Sequence, residues 1–336
     1  GARRGEEIKR SGGRFSMIWL VGAGPMARDY ANVLRALSRP FTVIGRGEER
    51  VRALAAEFSA PYAHGGLEKA VRDAATKPSH AIVALPVDAL HDAACALLPH
   101  CEAILLEKPG ALEAGEITDL VERRVPAGRA KVFVAYNRRF LPSIAELRAR
   151  IAAEGPVLSA VLEFDEPIPR IEALPTDPAI KARWGYANAS HVFDLLWHLC
   201  GPSVEEFHVA GGAGTPSPEL AWHPAGAVYA GAGRTESGTR YVYHGNYASV
   251  GRWRLTLSVA RKRYILCPLE ALRVVEGGSV AEQEVALPQN AFPALKPGLR
   301  EQVEAFLDGD PQGILATARY QAWHMRHLAH LFGYPL

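Results

Sequence analysis

Cysteine and long apolar runs are scarce in this sequence, and their scarcity excludes several classes of protein. The four cysteines show neither a CxxC pair nor metal-site spacing, which argues against a disulfide scaffold or a zinc module. No apolar run approaches the roughly 18 residues of a membrane-spanning helix. The run from Met17 to Val21 is too short for a secretory signal, and a glycine turn follows it. We expect a cytoplasmic protein without a metal, with reduced core thiols at Cys95, Cys101, Cys200 and Cys267.

A dominant charge is also missing. Lys and Arg total 38 against 36 Asp and Glu, so neither nucleic acid nor a membrane surface is an expected partner. With 336 residues, 48% of them hydrophobic, the chain has the composition of a globular protein of roughly two domains. Residues 1–16 are polar and basic, and we interpret them as an N-terminal arm or an expression remnant outside the fold.

A glycine-rich turn follows the first apolar run. Gly22-Ala23-Gly24-Pro25-Met26-Ala27 fits the pattern G-x-G-x-x-A, and helical spacing of apolar residues begins at Ala27. In such a turn the first glycine permits the tight bend, the second lets a pyrophosphate approach, and the alanine permits close helix packing. An ordinary turn is the alternative. The strand before it and the helix after it favour a dinucleotide site contacted by Gly22, Gly24, Pro25, Met26 and Ala27.

The next predicted strand, Phe41 to Ile44, ends without the carboxylate that usually holds a ribose 2′-hydroxyl. Gly45-Arg46-Gly47 stands there, and the guanidinium of Arg46 suits a 2′-phosphate. We therefore expect NADP(H) to be preferred, with NAD(H) possible. In the alternative interpretation Arg46 is solvated, and Glu48 or another group reaches the ribose.

Further predicted strands, at 80–85, 103–106 and 131–135, alternate with helices, which indicates parallel βαβ units. Glu107-Lys108-Pro109 follows the strand at 103–106 and so falls at the sheet edge where ligands bind. A lysine there can exchange a proton with a bound substrate. The plainer alternative is an exposed lysine before a proline that ends a strand.

The second half of the chain changes character. Strands are predicted near 204–210, 226–233, 239–247, 252–260, 263–267 and 271–276, and helices at 298–308 and 314–332. Such a run of strands is typical of an α+β domain. A predicted helix at 188–200 carries His191, Asp194 and His198 on one face.

In these features the chain resembles the Gfo/Idh/MocA oxidoreductases, the family of glucose-fructose oxidoreductase and inositol dehydrogenase. The likeness is greatest to members in bacterial surface-polysaccharide and nucleotide-sugar pathways. Order and spacing fit from about residue 17 to the C-terminal helix. The matching segments are Gly22 to Ala27, Ala84-Leu85-Pro86 with His91, Glu107-Lys108-Pro109, Tyr136 to Phe140 with Pro142, and the helix containing His191.

The resemblance implies a dinucleotide-binding Rossmann α/β domain at 17–140. It implies a substrate-binding and oligomerisation α+β domain at 141–336, with a large, mostly antiparallel open sheet that would form a homodimer or homotetramer. The implied reaction is hydride transfer to or from a ring carbon of a sugar, sugar nucleotide or cyclitol. The implied cofactor contacts also include Leu85, Pro86, His91, Glu107 and Lys108, and the Lys108-Pro109 peptide is expected to be cis.

Moving a hydride from a carbinol also requires removal of the hydroxyl proton. Lys108 is the first catalytic candidate, because burial lowers the pKa of a lysine. His191 is the second, because it matches the family's catalytic histidine, and we expect the two to hold the reacting oxygen.

One position departs from the family. The usual aspartate four residues before the histidine is replaced by Ala187, and the following Asn188 cannot hold a proton. Either Lys108 and His191 act alone or Asp194 substitutes, although a structural role for Asp194 is favoured. His198 is interpreted as a packed helix histidine.

Substrate contacts are open to several readings. Arg138 could face an anionic substrate or anchor the interdomain linker. Trp222 and His223 could stack on a sugar or form a turn or interface. The expected substrate contacts are Tyr136, Arg138, Trp184, Trp222 and His223. Alternative functions are redox-assisted glycoside cleavage or epimerisation, and non-catalytic NAD(P) sensing.

Overall fold

A computed structural model describes residues 17–125, 130–208 and 220–336. The arm expected at 1–16 and the end of the strand expected at 204–210 lie outside these ranges. Within them, every helix is too short or too polar to cross a membrane. The same residues contain no group of three or more His, Cys, Asp or Glu side chains that could hold a metal ion. All four cysteines are free thiols, and Cys101 and Cys200 are buried.

The first sheet is the parallel sheet that the alternating pattern predicts. Its strands are β1 (Ile18–Val21), β2 (Phe41–Ile44), β3 (Tyr62–Ala63), β4 (His80–Val83), β5 (Ala103–Leu106), β6 (Lys131–Val134) and, last in the chain, β15 (Ala316–Thr317). They lie in the order β15-β6-β5-β4-β1-β2-β3. All neighbours pair in parallel except β15, which runs antiparallel to β6.

Helices cover both faces of this sheet. They are α1 (Pro25–Ala36), α2 (Glu48–Phe58), α3 (Leu67–Asp73), α4 (Leu90–Leu97) and α5 (Ala114–Asp119), followed by a π-helical turn at Leu120–Arg124. Every side chain of β1 and of β5 is buried, which explains their unbroken apolar sequences. α1 buries one stripe that includes Tyr30 and Leu34. The strand ends at the carboxyl edge are thereby held on a rigid support.

The second sheet is large and mostly antiparallel, as expected. Its strands are β7 (Ser159–Phe164), β8 (Ser203–His208), β9 (Val228–Thr235), β10 (Arg240–Asn246), β11 (Trp253–Val259), β12 (Lys262–Leu266), β13 (Arg273–Glu276) and β14 (Gln283–Glu284). Their order is β14-β13-β12-β11-β7-β10-β9-β8, and only β7 and β10 pair in parallel. Along β10, Tyr241 and Tyr243 point into the core while Val242 points outward.

The remaining helices lie between and around the two sheets. They are α6 (Pro142–Glu154), α7 (Ile168–Glu172), α8 (Pro178–Lys181), α9 (Ser190–Cys200), α10 (Leu299–Leu307) and α11 (Ala318–Phe332). α9 is buried on almost every side, packing on β7 and β11 of the second sheet. A π-helical turn at Gly185–Ala189 leads into it. The histidine-bearing helix is therefore a core element.

Several short elements and one helix boundary differ from the sequence predictions. The elements that were not predicted are α6, α7, α8, β3 and β14. The helix expected over 314–332 begins only at Ala318, because residues 316–317 pair with β6 as β15. Two-residue strands carry no periodic signal, so their existence depends on the partner strand. The chain thus returns to the first sheet after completing the second.

Candidate active site

A cleft of about 550 Å³ opens at the carboxyl ends of β1, β2 and β4. Its lining contains Gly22 to Met26 of the glycine turn, together with Leu85 and Pro86, whereas Ala27 is buried and absent from the lining. Gly22 has a φ of +127°, and a Cβ there would lie 2.3 Å from the Ala84 carbonyl oxygen, so only glycine fits. A Cβ on Gly24 would meet nothing within 4 Å, which leaves the backbone open to a ligand.

The start of α1 is suited to an anion. Its first turn contains no acidic side chain and no side-chain cap. The first backbone N–H groups therefore remain available to a phosphate. Arg46 and Arg50 line the same cleft from the end of β2 and the start of α2. Arg50 was not predicted, and Glu48 is absent from the lining. The residues present fit a dinucleotide.

Glu107 and Lys108 follow β5 at the neighbouring strand end. Tyr30 on α1 donates a hydrogen bond of 2.5 Å to Glu107 Oε1, which ties α1 to the end of β5. Burial raises the pKa of Glu107. The Lys108-Pro109 peptide is cis, which confirms the expectation, and Cys267-Pro268 is also cis.

The amine of Lys108 turns away from the first sheet and towards α9. Its Nζ donates a hydrogen bond to the carbonyl oxygen of Ala187, within the π-helical turn that precedes α9. Burial lowers the pKa of Lys108 to about 8, with Glu107 opposing that shift and Arg138 adding to it. A lysine in this state is available as either base or acid near neutral pH.

His191 lies on the first turn of α9 with only 3% of its surface exposed. Tyr136 packs edge-on against its ring at 5.4 Å between centroids, and the Trp253 ring lies at 6.1 Å. Burial, followed by the charges of Arg138 and Lys108, lowers the pKa of His191 well below its usual value. The imidazole is therefore neutral at physiological pH, and its Nδ1 has no hydrogen-bond partner.

Asp194, one turn further along α9, is fully committed elsewhere. Both of its oxygens accept hydrogen bonds from Arg139 Nε, at 3.1 and 2.9 Å, and Oδ1 also accepts one of 2.6 Å from Arg139 Nη2. Arg139 Nη1 donates to the carbonyl of Ile314 at 2.9 Å. The pair thereby joins α9 to the segment before α6 and to the return towards β15. This ion pair supports a structural role for Asp194, which stays a prediction.

Asn188 holds a carboxylate that the sequence analysis did not single out. Its Nδ2 donates to both oxygens of Glu166, at 3.0 and 2.9 Å, and Trp253 Nε1 donates to Oε1 at 3.2 Å. Burial raises the pKa of Glu166 to about 7, with Asn188 and Trp253 opposing the shift. The available signal was the alternation of β7, since Ala160, Leu162 and Phe164 point inward and Glu166 continues their register.

Two further cations border the same space. The guanidinium of Arg138 lies 4.8 Å over the Trp253 ring, and its Nε has no hydrogen-bond partner. Lys296, in the segment between β14 and α10, places its Nζ 3.0 Å from Met26 Sδ of the glycine turn. Lys296 was not predicted, because a single lysine in an irregular segment carries no pattern. The cluster around His191 is therefore rich in positive charge.

The aromatic side chains predicted to contact the substrate, Trp184, Trp222 and His223, have different partners in the structure. Trp184 favours the ionised form of Glu166 and packs edge-on against Trp222, with 6.4 Å between their centroids. His223 is built into the core, with Nε2 bonded to Tyr334 Oη at 2.6 Å and Nδ1 to the Gly226 carbonyl at 2.7 Å. His223 is thus held in the core, whereas Trp222 packs on Trp184 beside Glu166. Their role as substrate contacts stays a prediction.

Tyr136 and His91 also have structural partners. The Tyr136 hydroxyl accepts a hydrogen bond of 3.0 Å from Gln321, beneath His191. His91 Nε2 lies 3.3 Å from Asp119 at the end of α5 and is absent from the lining of the glycine cleft. The role of His91 as a cofactor contact stays a prediction.

Comparison with known proteins accords with this geometry. Residues 17–136 match the Gfo/Idh/MocA family model, described as an oxidoreductase family with an NAD-binding Rossmann fold. No curated protein sequence matches the chain.

Similar solved structures extend over almost the whole chain. An NAD-binding oxidoreductase from Klebsiella pneumoniae has a TM-score of 0.75 at 15% identity, covering 95% of this chain and 96% of its own. UDP-N-acetylglucosamine 3-dehydrogenase from Acidithiobacillus ferrooxidans has a TM-score of 0.72 at 16% identity, covering 95% and 97%. Levoglucosan dehydrogenase has a TM-score of 0.73 at 15% identity, covering 95% and 96%. At these identities the structures share the fold. The family model matches residues 17–136 and the shared fold extends over the rest of the chain, which together support an NAD(P)-dependent oxidoreductase.

Proposed function

We propose that this protein catalyses reversible hydride transfer between a nicotinamide cofactor and a ring carbon of a sugar, sugar nucleotide or cyclitol. The observation that carries the proposal is the hydrogen bond from Lys108 Nζ to the Ala187 carbonyl, one helical turn before His191. Lys108 stands at the strand end beside the cofactor cleft, and its charge acts on a buried, neutral His191 that has an unpartnered nitrogen. Two groups of this kind can hold one oxygen atom between them.

A nicotinamide cofactor held by the turn from Gly22 to Met26 would supply the hydride acceptor in the oxidation direction. Lys108 in its neutral form takes the hydroxyl proton and becomes an ammonium ion, and in the reverse direction it returns that proton. His191 holds the same oxygen through a hydrogen bond. The Ala187 carbonyl aims the amine, while Arg138 stacked on Trp253 forms one wall of the site.

The polar lining supports a polyhydroxylated substrate. Glu166, Asn188 and Trp253 offer donors and acceptors beside an aromatic face, a combination that suits a ring with several hydroxyl groups. The dehydrogenases of UDP-N-acetylglucosamine and of levoglucosan, which share the fold, act on rings of this type. Trp184 belongs to the same proposal, since it borders Glu166.

For the cofactor, we propose that NADP(H) is preferred. Two guanidinium groups, Arg46 and Arg50, line the cleft at the end of β2, and no carboxylate joins them in that lining. Paired arginines suit a 2′-phosphate better than a 2′-hydroxyl.

A direct assay tests the function. The protein is incubated with NADP⁺ or NAD⁺ and a panel of sugars, sugar nucleotides and cyclitols, and the absorbance of reduced nicotinamide is followed together with product analysis. Stoichiometric reduction is the expected result. Product formation without net reduction would instead indicate glycoside cleavage or epimerisation through a transient redox step. Cofactor binding without turnover of any compound would favour a sensing role, which the intact Lys108 and His191 disfavour.

We also propose that residues 17–140 form the cofactor domain and residues 141–336 the substrate and oligomerisation domain. The outer face of the second sheet exposes Val242 by 47% and Phe207 by 62%, beside Val161 and Leu158. An apolar face of this kind is suited to a homodimer or homotetramer. Val242→Glu should shift the protein to smaller species in sedimentation velocity, and an unchanged distribution would exclude this face.

A further inference from the structure

Two residues beyond the end of β7, the chain buries a carboxylate side chain. Glu166 is 1% exposed, yet the hydrogen bonds to its oxygens come from neutral donors, the amide of Asn188 and the indole of Trp253. A buried carboxylate is costly unless its charge is used or compensated. A carboxylate at this core position therefore indicates a role beyond packing.

The turn before α9 connects this carboxylate to Lys108. Ala187 and Asn188 are consecutive residues: the carbonyl of the first accepts the hydrogen bond from Lys108 Nζ, and the amide of the second grips Glu166. Movement of Glu166 would thus shift the acceptor that aims the amine. The two charges also act on each other directly, each favouring the ionised form of its partner.

Trp253 links the same carboxylate to the rest of the site. Its indole N–H bonds Glu166, its ring lies 6.1 Å from the His191 ring, and Arg138 stacks over it. The other two candidate carboxylates have different partners, since Asp194 is paired with Arg139 and Glu107 binds Tyr30.

We infer that Glu166 is a positioning carboxylate for Lys108: through Asn188 it fixes the turn whose Ala187 carbonyl aims the amine. The inference rests on the proposed function, in which Lys108 gains a proton during alcohol oxidation. Glu166 then supplies a negative charge where Ala187 offers none.

Several other charges face this pair and must be included in any test. Lys108 is also influenced by Glu107, which favours its ammonium form, and by Arg138 and Lys296, which disfavour it. Glu166 is faced by the positive charges of Lys108 and Arg138, and its own charge contributes to raising the pKa of Tyr247. Glu107 therefore provides a natural positive control.

The experiment measures the pKa of Lys108 in the protein without cofactor or substrate. Competitive labelling with a trace amine-specific reagent across a pH series, read by mass spectrometry of the Lys108 peptide, gives the fraction of free amine. Glu166→Gln keeps the side-chain shape and removes the charge, so the pKa of Lys108 should fall by about half a unit or more. Glu107→Gln should lower it as well, and Glu163→Gln, on the same strand but in an ion pair with Arg254, should leave it unchanged.

A lower pKa of Lys108 in Glu107→Gln, without a lower pKa of Lys108 in Glu166→Gln, would overturn the inference. If Glu166→Gln does not fold, Asn188→Ala serves instead, because loss of the amide donors favours protonation of Glu166 and should lower the pKa of Lys108 in the same way. No shift in Asn188→Ala would also overturn it. Because labelling needs no turnover, its outcome is independent of whether a substrate is found. With an active substrate, the acidic limb of the kcat/KM profile should move to lower pH in Glu166→Gln.

Discussion

Two charged clusters meet at α9, and they differ in how completely their polar atoms are paired. Arg139 and Asp194 share three hydrogen bonds, and Asp194 is 0% exposed. A turn earlier, His191 keeps Nδ1 unpartnered, and Arg138 keeps Nε unpartnered. One helix thus carries a complete ion pair and an incomplete cluster side by side.

The difference separates structure from chemistry. A buried ion pair joined by three hydrogen bonds holds three segments together and has little left to offer a ligand. Buried polar atoms without partners are rare in folded proteins, and shifted pKa values concentrate at functional sites. Lys108 and Glu166, whose pKa values are shifted to about 8 and about 7, belong to the incomplete cluster.

Removing the central amine should have the largest effect. Lys108→Ala should lower turnover by about 10²- to 10⁴-fold, the usual contribution of general acid–base catalysis, while the cofactor Kd stays near normal. Steady-state kinetics and fluorescence titration with the reduced cofactor measure the two quantities. Lys131→Ala, exposed at the opposite end of β6, is the matched control. Unchanged turnover would remove Lys108 from the mechanism.

Breaking the complete pair should affect stability. Asp194→Asn leaves the charge of Arg139 buried and uncompensated, which should lower the free energy of unfolding by about 3–5 kcal/mol in urea titrations. Asp308→Asn breaks the exposed pair with Arg39, whose atoms lie 3.8 Å apart, and should cost less than about 1 kcal/mol. Equal losses of unfolding free energy in Asp194→Asn and Asp308→Asn would contradict the prediction that the buried ion pair contributes more than the exposed one.

In the incomplete cluster, ionisation of Glu166 should lower the free energy of unfolding of the wild type as pH rises. The folded pKa of Glu166, about 7, lies above its ordinary value of 4.5, so its contribution to stability is present below pH 4.5 and lost as pH passes 7. Glu166→Gln does not titrate, and it should gain on the order of 2–3 kcal/mol over the wild type between pH 4.5 and 8. Chemical unfolding at both pH values measures the difference. Glu163→Gln should show no such gain. If the difference in unfolding free energy between Glu166→Gln and the wild type is the same at pH 4.5 and pH 8, the raised pKa of Glu166 is contradicted.

The smallest expected effect concerns the cofactor cleft. Arg46→Ala should weaken NADPH binding about tenfold through loss of a charge-assisted hydrogen bond, with little change for NADH. Isothermal titration with both cofactors checks this. Arg52→Ala, exposed on α2 and outside the cleft lining, controls for net charge. Equal weakening of NADPH and NADH would refute the assignment of Arg46 to the 2′-phosphate.

Local patterns were sufficient for most of the cofactor half, although β3 and Arg50 were missed. The glycine turn, the apolar strands and the Glu107-Lys108-Pro109 turn each follow from a few neighbouring residues, and the structure places them along one sheet edge. Glu166 and Lys296 were missed because neither sits in a local motif. Trp222 and His223 formed an attractive aromatic pair in the sequence, yet His223 is bound by Tyr334 in the core.

The sequence by itself determined the parallel sheet, the glycine turn and the presence of Lys108 and His191, because these depend on steric and periodic rules within short segments. The tertiary structure alone decided which carboxylate accompanies them. Asp194 is close to His191 in sequence but is bound to Arg139, whereas Glu166 comes from a distant strand and meets Lys108 through the turn at 187–188. The charges of a catalytic group are set by what burial brings near it, and burial is a property of the whole fold.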